Sequence, residues 1–134
     1  MYLLDTNILS ELVKKRPNSG FISRLRSEPL QSLHTSSVCV FELRFGSALR
    51  DDFEIFWQRI MDTILSRISI LKFGEDEAYI AGDILASLQK KGKKIGIEDI
   101  YIAATAISNK CTLVTANTRH YERIKDLKIE NWIM

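Results

Sequence analysis

Tyr2-Leu3-Leu4-Asp5-Thr6-Asn7-Ile8-Leu9 is the stretch that decides the fold. Its opening residues are apolar without alternation, the pattern of a short buried strand over 2–5. Such a strand belongs inside a sheet, yet this one ends on an acid. Thr6 and Asn7 are then placed to cap a helix that carries Ile8, Leu9, Leu12 and Val13 on one side.

Beyond this helix Pro17 and Gly20 punctuate the chain, and Phe21, Ile22 and Leu25 mark a second short helix. Residues 33–37 read as a strand. Residues 38–50 read as a helix with Val38, Phe41, Phe45, Ala48 and Leu49 at helical spacing. Phe53, Phe56, Trp57, Ile60, Met61 and Ile64 mark an amphipathic helix. A strand is expected at 68–71, then a helix through Ala81, Ile84, Leu85 and Leu88 that ends near Gly92. Residues 100–107 are apolar nearly all round and predict a buried helix. Residues 112–115 form a strand, and 129–133 a last edge strand. Strands alternating with helices predict an α/β fold with a parallel sheet covered on both faces. Sites in such sheets form at the carboxyl ends of the strands, which places Asp5 and the end of strand 112–115 in the active region.

The chain of 134 residues suits one domain, 1–134. A content of 46% hydrophobic and 27% charged residues is ordinary for a globular protein that builds its own core. The net charge of +2 does not establish a polyanionic partner and permits one if the basic residues cluster. Cys39 and Cys111, far apart and in apolar company, make neither a zinc site nor a disulfide framework and read as buried free thiols. The start lacks a signal-peptide pattern, and no run approaches the ~18 apolar residues of a membrane span, so a cytoplasmic protein without membrane contact is expected.

Three acids stand in apolar company. Asp5 closes the first strand. Glu42 shares a helix face with Val38, Phe45 and Leu49, and Asp99 with Ile102, Ala103 and Ala106. A carboxylate on a core-facing stripe must be paired, protonated or bound to a cation. Taken singly, each acid is better read as a helix cap or an arginine partner. Three on separate elements favour a shared site for a hard cation such as Mg²⁺. Position alone does not specify the reaction.

The same residues carry a family resemblance. Leu3-Leu4-Asp5-Thr6-Asn7-Ile8-Leu9-Ser10-Glu11 resembles the start of the bacterial PIN-domain toxins of the VapC and FitB kind. Ser36-Ser37-Val38-Cys39-Val40-Phe41-Glu42-Leu43-Arg44-Phe45-Gly46 resembles their second motif, and Ile97-Glu98-Asp99-Ile100-Tyr101-Ile102-Ala103-Ala104-Thr105-Ala106 their third. Leu113-Val114-Thr115-Ala116-Asn117-Thr118-Arg119-His120-Tyr121 resembles the fourth. The match runs in order over nearly the whole chain. It implies a three-layer α/β/α sandwich with a central, mainly parallel sheet. It also implies Mg²⁺ or Mn²⁺ dependence, cleavage of single-stranded RNA, a homodimer, and a small antitoxin encoded alongside.

Carried over by position, Asp5, Glu42 and Asp99 match the family's acids, with Asp5 and Asp99 expected to hold the Mg²⁺. Asn117 stands where many relatives have Asp and is expected to orient water or substrate. Thr6 and Thr115 are supporting residues in this resemblance, and Ser37 a weaker one. Basic candidates for the RNA are Lys14, Lys15 and Arg16, then Arg44 and Arg50, then Lys90, Lys91, Lys93 and Lys94. The last group precedes Asp99 and competes with a plain solvated loop. His34 and His120 have no relay partner in the sequence and are set aside. Trp57, Trp132 and the phenylalanines read as core or dimer contacts. The alternatives are a PIN-like binding module that has lost catalysis, which Asn117 favours, and a phosphotransfer fold. The dehalogenase version of the latter wants a second Asp where this chain has Asn7.

Overall fold

The computed structural model describes residues 1–133. Leu3 and Leu4 point to opposite faces of their strand, and both are shut from solvent. That burial requires a central position, and β1 (Tyr2–Leu4) has it. It pairs in parallel with β2 (Leu33–Ser36) on one side and β4 (Thr112–Val114) on the other, with Leu3 opposite His34 and Leu113. β3 (Ser69–Leu71) lies outside β2, and β5 (Ile129–Glu130) outside β4. The order is β3-β2-β1-β4-β5.

Between β1 and β2 run α1 (Thr6–Leu12) and α2 (Ser19–Arg26). Between β2 and β3 run α3 (Ser37–Ala48) and α4 (Phe53–Ile60), and α4 continues into a wider turn of helix at Met61–Leu65. α5 (Glu75–Lys90) and α6 (Ile97–Ser108) return the chain to β4, and α7 (Thr118–Tyr121) precedes β5. Right-handed crossovers in the first direction put α1 to α4 on one face, and the return puts α5 and α6 on the other. The result is the expected α/β/α sandwich. Strand order reverses between β1 and β4, so the crevice at their carboxyl ends is the switch point where such sheets bind ligands. Among the described residues no helix is long and apolar enough to cross a membrane.

The main core joins Leu3, Leu4, Ile8, Leu9, Phe21, Ile60 and Leu113. A smaller one, Ala81, Leu88, Ile100 and Ala104, packs α5 against α6. α5 ends as expected at Gly92, whose φ of +67° suits glycine. The edge strand of 129–133 shortens to Ile129–Glu130. Beyond it Trp132 turns inward, edge-on to Tyr2 at 5.0 Å with the Arg24 guanidinium 4.9 Å from its ring.

Two expectations are corrected. Asp5, not Thr6 or Asn7, caps α1: its backbone is extended (φ −72°, ψ 163°), and its side chain accepts from the Thr6 N–H. The stripe of α3 is also misjudged. Cys39, Leu43 and Ser47 face the core, while Phe45 is 58% and Leu49 72% exposed. α3 is apolar on nearly every side, so spacing could not select its buried face. Ser36 caps this helix, accepting from the Cys39 N–H at 3.0 Å. Glu42 therefore stands half-exposed at the rim of the crevice instead of on a core-facing stripe.

Candidate active site

Asp5 is the buried centre of the site. Its Oδ1 accepts from the Thr6 N–H at 2.8 Å. Its Oδ2 accepts from the Thr115 hydroxyl at 2.8 Å and faces the Tyr121 hydroxyl at 3.3 Å. Burial pushes its carboxyl up to about 6, with smaller contributions from Asp99 and Glu42 and against the hydrogen bonds from Thr115 and Thr6. Glu42 arrives on α3, where the Thr6 hydroxyl donates to its Oε1 at 2.7 Å. Thr6 thus holds two acids at once, one through its backbone and one through its side chain.

Asp99 stands in the first turn of α6, with Ile102, Ala103 and Ala106 buried behind it as the spacing predicted. It does not cap the helix; Gly96 occupies the cap position. Asp99 Oδ1 accepts from the Tyr121 hydroxyl at 3.1 Å, and Oδ2 lies 3.4 Å from His120 Nδ1. Tyr121 therefore stands between Asp5 and Asp99. Burial, followed by the charges of Asp5 and Asp99, drives its phenol far above the usual range, so it remains a neutral donor. A hydroxyl has one proton to give, and here two carboxylates compete for it.

A family model described as PIN domain matches residues 2–127. The chain belongs to the PIN-domain family. It is 38% identical over 132 residues to a protein named Ribonuclease VapC2 from Haemophilus influenzae, covering 98% of each chain. It is 36% identical over 123 residues to Toxin FitB from Neisseria gonorrhoeae, covering 88% of each. Among solved structures, VapBC2 from Rickettsia felis bound to a promoter DNA fragment superimposes with a TM-score of 0.86 at 32% identity, covering 98% of each chain. The phosphotransfer alternative is thereby removed.

In this PIN domain the donor set fits a hard divalent cation. Donor atoms of Asp5, Glu42 and Cys39 lie within 4.8 Å of one another. Among the described residues, Glu42 Oε2 accepts no hydrogen bond and is free to take a ligand. A divalent ion would relieve the crowding of charge that helps to raise the Asp5 carboxyl. The Cys39 thiol lies behind the acids, and burial, with Asp5 adding to it, pushes its titration up. It stays a thiol and leaves the oxygens as the natural ligands for a hard divalent cation.

Other expected residues are placed less centrally. Asn117 is exposed; its N–H donates to Thr115 Oγ1 at 3.0 Å, and its side chain makes no hydrogen bond among the described residues. Ser37 accepts from the Phe73 N–H at 3.3 Å and holds the start of α5, not the acids. Lys90, Lys91 and Lys93 are exposed at the end of α5 and in the turn beyond it, while Lys94 lines a cavity beside Asp99.

Four neighbours of the PIN site escaped the sequence reading as site residues. Asn7 braces the end of β4, accepting from the Ala116 N–H at 3.1 Å and reaching Thr115 Oγ1 at 3.4 Å. Cys39 could have been found three residues before Glu42, on the same helical face. His120 and Tyr121 sit inside the fourth motif, but only the fold shows that α7 turns them back toward Asp99.

Proposed function

We propose that this PIN domain is a Mg²⁺-dependent endoribonuclease that hydrolyses phosphodiester bonds in single-stranded regions of RNA. In this reading it is the toxin of a toxin–antitoxin pair, a cytoplasmic homodimer restrained by a small antitoxin. The observation that carries the proposal is that Asp5, at the β1–β4 switch point, has Glu42 within ligand distance on one side and is linked through the Tyr121 hydroxyl to Asp99 on the other. The names of the relatives point the same way.

Asp5 and Asp99 would hold the ion, with Glu42 completing the acidic wall, and Mn²⁺ can substitute. A bound Mg²⁺ supplies an activated water nucleophile and offsets charge on the attacked phosphate. This chain's residues supply the rest. Thr6 and Thr115 fix the orientation of Asp5, Thr6 orients Glu42, and Tyr121 holds Asp5 and Asp99 in register. Asn117, at the mouth of the crevice, orients water or substrate. Hydrolysis leaves a 5′-phosphate and a 3′-hydroxyl.

The test is Asp99→Asn, chosen because Asp99 is only partly buried and its amide analogue keeps the fold. Mg²⁺-dependent cleavage of a labelled single-stranded RNA should be abolished, with an unchanged melting temperature. Retained turnover in a clean preparation overturns the assignment. A parent that binds RNA and never cleaves it supports the binding-module alternative, to which Asn117 is the one pointer.

A further inference from the structure

An acidic crevice repels the polyanion it is proposed to cut, so cations must receive the strand nearby. Beside Asp99 lies a cavity of about 610 Å³ lined by Lys94, Ile95, Gly96, Arg119, His120 and Arg123. Four of these six residues are basic and none is acidic. His120 forms the common wall, its Nδ1 3.4 Å from Asp99 Oδ2. Arg123 Nη1 donates to the Lys94 carbonyl at 3.3 Å and closes the far side.

On the Glu42 side of the crevice the cations are Lys14, Lys15, Arg50 and Arg59, and two of these are neutralised by acids of their own. Lys14 is paired with Glu11 at 2.8 Å, and Arg50 with Asp52 at 2.7 Å. Among the described residues Lys94, Arg119 and Arg123 have no carboxylate partner. Arg119 and Arg123 are four residues apart, spanning α7 and the turn after it, and are exposed. An arginine left without an acid in a concave site has its guanidinium donors available for phosphate oxygens.

We propose that this cavity binds a backbone phosphate of the RNA strand next to the one being cleaved, chiefly through Arg119 and Arg123. The inference rests on the ribonuclease reading and adds to it the place where the substrate is gripped. It moves the expected basic contact from the run Lys90, Lys91 and Lys93 to a pocket of which only Lys94 belongs to that run. Phosphate contacts of this kind position the strand without reading its sequence.

The experiment measures binding of a short fluorescein-labelled single-stranded oligoribonucleotide of mixed sequence, by anisotropy over a range of salt, in EDTA so that the strand is not cut. Each phosphate contact to a single strand contributes about 0.7 to the slope of log affinity against log salt. R119Q/R123Q should therefore flatten the slope by about 1.4, and R119K/R123K should keep it. The control is K110Q/K128Q, at the amino edge of the sheet just before β4 and β5 and so away from the crevice; it should leave the slope unchanged. If R119Q/R123Q binds like that control while the parent binds and, with Mg²⁺, cleaves, the subsite is wrong and the ribonuclease reading stands. A parent that neither binds nor cleaves overturns both. A double variant that keeps its RNA slope but loses affinity for the antitoxin assigns the cavity to the protein partner and overturns the proposal.

Discussion

Asp5 is placed where its charge is least comfortable, and a measurable pH dependence follows. Its carboxyl titrates at about 6 in the fold against an ordinary 3.8, chiefly because it is buried. A raised carboxyl means that the folded, metal-free protein holds a proton that the unfolded chain has released. The stabilisation is present below the unfolded value and disappears as pH rises through about 6, amounting to roughly 3 kcal/mol. Glu11 and Glu77 act in the opposite sense: hydrogen bonds from Lys14 and Ser108 hold their carboxyls low, so their contributions are lost as pH falls. The informative quantity is therefore the difference between the parent and Asp5→Asn in urea unfolding with EDTA, measured on both sides of the window. The parent should lose stability relative to the variant as pH rises, and Mg²⁺ should restore it in the parent alone. A constant difference would show that the Asp5 charge carries no such strain.

At the scale of elements, α7 has only four residues, yet it sets the distance between two acids because Tyr121 is its last residue. Tyr121→Phe keeps the buried ring and removes only the hydroxyl shared by Asp5 and Asp99. Outer partners of metal ligands are typically worth about ten- to a hundredfold in affinity. Calorimetric titration with Mn²⁺ should show binding weakened by at least about tenfold while the melting temperature holds; unchanged affinity would make Tyr121 a packing residue only. This element also marks where sequence reading stops. Tyr2–Leu4 and α6 were legible because each is a continuous apolar run that the fold buries on nearly every side, so no single face had to be chosen for them. α3 was not, because apolar residues surround it and its rotation is set by the Ser36 cap and by packing. Glu42 stands beside Asp5 at the rim of the crevice, half-exposed, and not on the core-facing stripe that its spacing suggested. The Asp5 cap, the dual hold of Thr6 and the return of Tyr121 depend on backbone geometry and on contacts across more than a hundred residues of chain, such as Thr115 to Asp5. No local pattern records such contacts.

Across the whole molecule, the misread face of α3 becomes an exposed apolar stripe. Phe41, Phe45 and Leu49 lie four residues apart and form one outward stripe, and the two phenylalanine rings stack at 6.4 Å. A run of large apolar side chains held in water marks an interface on a soluble protein. The homodimer implied by the family resemblance gives that stripe an occupant, a second copy of the chain. The stripe shares its helix with Glu42, so pairing along it would brace the element that brings the third acid to the crevice. In a two-fold dimer one substitution acts twice. Burying each phenylalanine contributes about 1.5–3 kcal/mol, so Phe45→Glu should weaken association by roughly two to four orders of magnitude. Sedimentation velocity should show the variant as a folded monomer at concentrations where the parent is dimeric. A variant that sediments with the parent would place the dimer contact on another face and leave the stripe to a different partner.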